Sequence, residues 1–152
     1  VQELLDAAGK YFKKLMKNRP ERIELEIESM EAKVIGDVNQ LRFLLENLID
    51  EALTVREDGV IRLQARKDNE YIRFLFTDTR REKSVEELNQ LFYPNLARMT
   101  SGEKGELRGT EYLVCKQIIR DHDEFAGRRG CRINAEPAEG GGFTVYFTIP
   151  RR

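Results

Sequence analysis

GDVNQLRFLLENLIDEAL, residues 36–53, is the most informative segment of the sequence for the architecture. It predicts a helix over 38–56 with Asp37 as its N-cap, because its apolar residues recur at three- and four-residue intervals. One amide and three carboxylates lie close together on the neighbouring face of this helix, namely those of Asn47 and of Glu46, Asp50 and Glu51. A solvated helix face explains these polar residues, and so does a site for a cation and phosphates. The pattern alone leaves both interpretations open.

The composition indicates one domain without a preference for polyanions. The chain has 152 residues, and 26 Lys+Arg nearly cancel 27 Asp+Glu, so that the net charge is -1 and nucleic acid is not favoured as a partner. There is no apolar run long enough to cross a bilayer and no signal peptide, so we expect no direct membrane contact by this segment. Two cysteines without a pairing motif and a single histidine argue against a zinc site and are typical of reduced thiols in a cytoplasmic domain.

Two periodicities alternate along the rest of the chain. Three- and four-residue spacing predicts helices at 1–18, 84–92 and 110–120, and alternation of apolar with polar residues predicts strands at 22–28, 32–36, 60–67, 71–78, 131–136 and 143–150. Residues 93–108 are aperiodic, glycine-rich and charged, so a mobile loop is expected there. This order predicts an α+β fold: a two-layer α/β sandwich whose mixed, mostly antiparallel sheet is covered on one face by helices.

Five motifs follow one another in the order and spacing of a known family: GDVNQLRFLLENLIDEAL, FLFTD, LFYP, GTEYLVCKQIIRDH and AEPAEGGGFTVYFTIP. The series resembles the ATP-binding domain of sensor histidine kinases, the Bergerat fold of the GHKL ATPases. The resemblance implies that 1–20 is the end of a linker or dimerisation helix and 21–152 the ATPase-like domain. It also implies ATP and Mg²⁺ as cofactors. The implied partners are a histidine-bearing dimerisation domain of the same protein and a response regulator.

The polar face of the middle helix resembles the N-box of this family. The first Asn of that box reaches the Mg²⁺ that bridges the nucleotide phosphates, and Asn47 stands at its position; an amide oxygen suits this hard cation. Glu51 replaces the second Asn, where it either helps to hold the cation or weakens nucleotide binding. The general-base Glu of the type II topoisomerase branch falls at Phe43, which cannot accept a proton, so water activation for simple ATP hydrolysis is not supported.

The resemblance also places an adenine site at the end of the YIRFLFTD strand. Asp78 matches the Asp that accepts the adenine amino group, and Thr144 matches the Thr that assists through a water molecule. A carboxylate acceptor selects adenine over guanine, because guanine presents a carbonyl at that point. The structural alternative for Asp78 is a strand-end residue that starts a turn.

The glycine boxes of the family are substituted in this chain. The G1 box, D-x-G-x-G, appears as DTRRE, so that Arg80 and Glu82 fill space that glycines leave to the nucleotide. In the G2 box only Gly109 remains, and Glu111 places a negative charge where a helix N-terminus normally binds phosphate. Lys116 keeps the lysine that the family has in the following helix.

Three functions are therefore open. In the first, the domain binds Mg-ATP and transfers the γ-phosphate to a histidine of another domain, since no H-E-x-x-P-type motif occurs here and His122 matches a structural histidine of the family. In the second, it is a non-catalytic, pseudokinase-like signalling module that acts by protein–protein contact. In the third, it is an unrelated binding domain whose helix charges are only solvated.

Overall fold

The computed structural model describes residues 1–92, 100–101, 107–108, 111–126 and 131–152. Helices and strands alternate along these ranges in an α+β order. The helices are α1 Gln2–Met16, α2 Val38–Ala52, α3 Val85–Asn89 and α4 Glu111–Ala126. The strands are β1 Ile23–Glu28, β2 Gly59–Asp68, β3 Tyr71–Asp78, β4 Thr100–Ser101, β5 Leu107–Arg108, β6 Ile133–Pro137 and β7 Phe143–Pro150.

One five-stranded sheet organises the fold. Its strand order is β1-β2-β3-β7-β6, and β4 pairs separately with β5. The pair β1–β2 is parallel because α2 connects the two strands, whereas β2–β3, β3–β7 and β6–β7 are antiparallel. The α+β fold with a mixed, mostly antiparallel sheet is thus confirmed, and so are the two hairpins expected from alternation.

The core lies between the sheet and the long helices. On β3 the side chains of Ile72, Phe74 and Phe76 are buried, whereas the residues between them are only half-buried, as expected for a strand with one covered face. Phe74 stacks on Phe147 of β7, with 4.9 Å between the ring centroids. From the helix side, α1, α2 and α4 contribute the other apolar residues of the same cluster.

The opening helix contributes to this core. Its residues Leu4, Leu5, Ala8 and Phe12 are buried, and α1 contacts both α2 and β1. Burying four apolar side chains stabilises this arrangement by several kcal/mol, at about 1.5–3 kcal/mol for each large one. The boundary at 20/21 stays a prediction, but the apolar face of α1 belongs to the same core as α2 and the sheet.

Several boundaries differ from the sequence-based expectation. Helix α4 continues through 121–126, beyond its predicted end at residue 120, because Gln117 bonds Asp121 and His122 bonds the Ile118 carbonyl one turn earlier. Helix α2 ends at Ala52 instead of residue 56. The strand predicted at 32–36 is reduced to one bridge between Val34 and Arg151. In the predicted loop, β4 and β5 pair with each other, and 93–99 and 102–106 lie outside the described residues.

Candidate functional site

The polar face of α2 begins at a capped N-terminus and ends beside the tip of β3. The Asp37 carboxylate accepts hydrogen bonds from the backbone N–H groups of Asn39 and Gln40, which fixes the start of the helix. Farther along, Asp50 accepts a 2.6 Å hydrogen bond from the hydroxyl of Tyr11 on α1. One of the three carboxylates on this face therefore ties two helices together.

Asn47 lies on the same face and is partly exposed. Its side-chain nitrogen donates a 2.7 Å hydrogen bond to the Phe43 carbonyl, one turn earlier. That bond does not involve the amide oxygen, which is the atom predicted to bind Mg²⁺. Phe43 itself is 50% exposed, so the position of the topoisomerase general base carries a solvent-facing aromatic ring.

Asp78 ends β3 and is buried, with 1% of its surface exposed. Its carboxylate is paired with Arg80: Oδ1 accepts from Nε at 3.0 Å and Oδ2 accepts from Nη2 at 3.0 Å. The backbone N–H of Arg80 also donates to Oδ1 at 3.0 Å. This is a bidentate arginine–carboxylate pair, the strongest common form of ionic hydrogen bonding in proteins.

The same guanidinium closes the end of α2. Nη2 of Arg80 donates to the Ala52 carbonyl at 2.5 Å, and Nη1 donates to the carbonyls of Val55 and Glu57 at 2.9 and 3.1 Å. The last carbonyls of a helix lack partners within the helix and carry the negative end of its dipole, so a cation there is favourable. All five N–H groups of this guanidinium have an acceptor, and its side chain is 0% exposed.

Arg81 connects Asp78 with Glu51. Its Nε lies 3.6 Å from Oδ2 of Asp78, and its Nη2 lies 3.7 Å from Oε1 of Glu51. The guanidinium also stands over the ring of Phe143, 5.5 Å from the centroid, and the ammonium of Lys83 lies 5.6 Å from the same centroid. Among the described residues, Nε of Arg81 is a buried donor without a hydrogen-bond partner. Two of the predicted site residues, Glu51 and Asp78, are thus brought to one cluster by a residue that the sequence analysis did not single out.

Tyr112 of α4 belongs to this cluster as well. Burial, and then the negative charge of Glu51, raises the pKa of its phenol far above the usual range, although Arg81 acts in the opposite direction. The phenol therefore stays protonated and remains a hydrogen-bond donor. A tyrosine on the apolar side of a helix gives no such signal in the sequence, and only the fold brings Tyr112 near the carboxylates.

Thr144 lies on β7, one register position from the partner of Asp78. Its hydroxyl is 2.8 Å from that of Thr77, both residues are buried, and the strand register pairs Thr77 with Thr144 and Asp78 with Phe143. Because successive side chains alternate across a sheet, the Thr144 hydroxyl and the Asp78 carboxylate leave opposite faces. The water-mediated role of Thr144 toward adenine stays a prediction.

The predicted phosphate-facing residues are only partly described. Lys116 donates to the Phe92 carbonyl at 3.4 Å and lines a cavity of about 240 Å³ with Cys131 and Ile133, so α4 directs it toward β6. Gly109 lies outside the described residues, and so does the side chain of Glu111.

His122 has the structural role expected of it. The ring is buried; Nε2 accepts from the backbone N–H of Asp37 at 3.0 Å, and Nδ1 lies 2.8 Å from the Ile118 carbonyl. Since Nε2 is the acceptor, Nδ1 carries the proton and donates to Ile118. The imidazole thereby joins α4 to the N-cap of α2, and both of its nitrogens are engaged.

Comparison with known proteins identifies the family. Residues 36–152 match the family described as histidine kinase-, DNA gyrase B-, and HSP90-like ATPase. The chain belongs to this ATPase family. No curated protein gives a significant match. No described helix of this ATPase domain is long and apolar enough to span a membrane.

Solved structures share the fold of this ATPase domain at low sequence identity. The nucleotide-free catalytic domain of the histidine kinase ThkA is 21% identical, with a TM-score of 0.75 over 99% of this chain and 92% of that one. The mycobacterial sensor histidine kinase MprB is 18% identical, with a TM-score of 0.72 over 97% and 94%. ThkA in complex with the response regulator protein TrrA is 19% identical, with a TM-score of 0.71 over 100% of this chain and 40% of that one.

The residues described fit the two implied ligands to different degrees. An amide oxygen at Asn47 and a carboxylate at Glu51, one helical turn apart, are suitable oxygen ligands for Mg²⁺, which uses few protein ligands. Adenine fits less well, because both oxygens of Asp78 already accept hydrogen bonds from Arg80. In this arrangement adenine meets no carboxylate oxygen at the end of β3 that is not already bonded to Arg80.

Proposed function

We propose that the chain is the ATP-binding and catalytic domain of a two-component sensor histidine kinase. It would transfer the γ-phosphate of ATP to a histidine of the dimerisation domain of the same protein, and a response regulator would take the phosphoryl group from there. A soluble location in the cytoplasm follows from that role. Membership of the ATPase family and the order of the motifs support the proposal.

One observation carries it: Asp78 is buried at the end of β3 and is linked through Arg81 to Glu51 on the polar face of α2. The residues that we assign to the base and to the cation therefore lie in one cluster, which supports the proposal. In this proposal Asp78 accepts the adenine amino group, and Asn47 with Glu51 holds the Mg²⁺.

The remaining side chains are consistent with phosphoryl transfer to a protein histidine. Phosphoryl transfer depends on positioning and on neutralisation of phosphate charge more than on a protein base. Phe43 cannot activate a water molecule, which disfavours hydrolysis of the kind that the topoisomerase branch performs. Gly109 and Lys116 are assigned to the phosphate side, where a backbone amide and an ammonium neutralise negative charge.

Phosphorylation of the full-length protein that contains this sequence tests the function. With Mg-ATP labelled in the γ-phosphate, we expect label on the protein that is stable in base and labile in acid, as phosphohistidine is. Asn47→Ala should lower the labelling strongly, because it removes the proposed Mg²⁺ ligand, whereas Asn39→Ala, which alters an exposed side chain earlier on α2, should not. Absence of label at millimolar ATP in the unmodified protein would reject the catalytic function and leave the non-catalytic signalling module.

A further inference from the structure

Arg80 is the most completely bonded charged side chain of the candidate site. The guanidinium donates two hydrogen bonds to Asp78 and three to the carbonyls of Ala52, Val55 and Glu57. It has no exposed surface. A guanidinium buried and bonded in this way is a fixed part of the packed structure of the free protein and not a mobile surface side chain.

The aliphatic part of the Arg80 side chain packs against a glycine of β2. Gly59, which begins β2, has φ +149°, and a Cβ built on it would lie 2.5 Å from Cγ of Arg80. Any side chain at 59 would therefore displace the arginine. The buried position of Arg80 thus depends on a glycine 21 residues earlier in the chain as well as on its charge partner.

The pair occupies the atoms that the proposed function assigns to adenine. A carboxylate offers about four lone-pair directions. Three of them at Asp78 are taken by the Nε, Nη2 and backbone N–H groups of Arg80, and Arg81 lies 3.6 Å from Oδ2. The exocyclic amine of adenine is a neutral donor, so its hydrogen bond to the carboxylate has charge on the acceptor only, whereas the guanidinium bonds that it would have to replace have charge on both partners.

We propose that Arg80 is an internal competitor of the adenine base, so that a nucleotide binds only when the guanidinium leaves Asp78. This inference rests on the proposed function, because it concerns the same base acceptor. The apparent dissociation constant then equals the intrinsic one divided by the fraction of molecules in which Arg80 is released. Since Arg80 also bonds the carbonyls that follow α2, its release loosens the end of the helix that carries Asn47 and Glu51.

Isothermal titration of the chain with Mg-ADP, and with Mg-GDP for base selectivity, tests the competition. We expect Arg80→Ala to bind Mg-ADP about tenfold or more tightly than the unmodified chain, because Asp78 is then free in every molecule. Arg73→Ala is the matched control. Arg73 also donates two hydrogen bonds to an aspartate, Asp68, but this pair is partly exposed and lies on the other face of β3. This control should leave the affinity unchanged.

A second variant separates an effect on binding from a loss of folding. Arg80→Gln keeps most of the aliphatic part of the side chain beside Gly59 and one donor group for the carbonyls at and after the end of α2. It should therefore stay folded and still bind Mg-ADP more tightly than the unmodified chain. Circular dichroism checks the fold of each variant. Adding Asp78→Asn to Arg80→Gln should abolish the gain and the preference for ADP over GDP.

The outcomes distinguish this inference from the proposed function. Equal Mg-ADP affinity in the unmodified chain and in both folded Arg80 variants overturns the competition, while phosphohistidine formation in the full-length protein would still support the kinase. Tighter Mg-ADP binding in the variants together with no phosphohistidine supports the competition and rejects the catalytic function. No Mg-ADP binding by any folded variant overturns the competition, because freeing Asp78 then creates no base site.

Discussion

Breaking the buried pair of Asp78 and Arg80 should cost more stability than breaking an exposed pair on the same strand. The side chains of the pair are 1% and 0% exposed, so removing one partner leaves the other charge buried without compensation. Such a change typically costs about 3–5 kcal/mol. Arg80→Ala also removes the donor of three main-chain carbonyls at and just after the end of α2. We therefore expect each single alanine variant to lose about 3–5 kcal/mol in the free energy of unfolding.

Urea unfolding of the two single variants and the double variant measures the interaction itself. The double variant removes both charges, so its loss should be smaller than the sum of the single losses by about 2–3 kcal/mol, the upper range for residues in contact. The corresponding cycle on Arg73 and Asp68, whose side chains are 40% and 35% exposed, should give at most about 1 kcal/mol. A coupling between Asp78 and Arg80 no larger than that of the exposed pair would refute the buried bidentate geometry.

Two further predictions concern other contacts of the fold. Gly140→Ala should lower the free energy of unfolding by about 1–2 kcal/mol because of its positive φ alone. Gly142→Ala should lower it by at least about 2 kcal/mol more, because its Cβ would overlap the Asp78 carbonyl. Thermal unfolding of the two variants measures the difference, and equal losses would contradict the close approach of Gly142 to Asp78. Burial and the hydrogen bond to Asp50 raise the pKa of Tyr11 in the native state. The bond therefore contributes fully to stability below the usual phenol pKa of about 10, and this contribution is lost as the pH rises through the higher native pKa. Tyr11→Phe should therefore lower stability at pH 7 by about 0.5 kcal/mol, a small loss because the pair faces water, and should remove the high-pH phenol titration seen by absorbance.

Local sequence pattern was sufficient for the elements whose period is regular. The helix of 36–53 and the strands of both hairpins follow from spacing alone, because one covered face imposes a period of 3.6 or 2. The pattern was insufficient at 121–126, where polar residues extend α4, since a polar segment is compatible with an exposed helix as well as with a loop. It also gave no register for β1 against β2, a pairing that depends on how α2 crosses the sheet.

The candidate site shows the same division between local and long-range information. That Asp78 ends a strand, and that Arg80 stands where the family has a glycine, follows from the DTRRE stretch alone. The acceptors of Arg80 do not follow from it, because Ala52, Val55 and Glu57 offer main-chain carbonyls that no residue type reveals. Only the antiparallel register shows that Thr144 meets Thr77.

The competition between Arg80 and adenine can be followed at the Arg80 guanidinium itself. In ¹⁵N-resolved NMR spectra of the free chain, we predict a separate Arg80 Nε–H signal that exchanges slowly with water, because Asp78 and the Ala52 carbonyl hold the group. Saturating Mg-ADP should convert it to a rapidly exchanging, solvent-like signal as adenine takes the carboxylate. A solvent-like Arg80 signal in the free chain, or an unchanged, slowly exchanging signal with ADP bound, would contradict the competition between Arg80 and adenine.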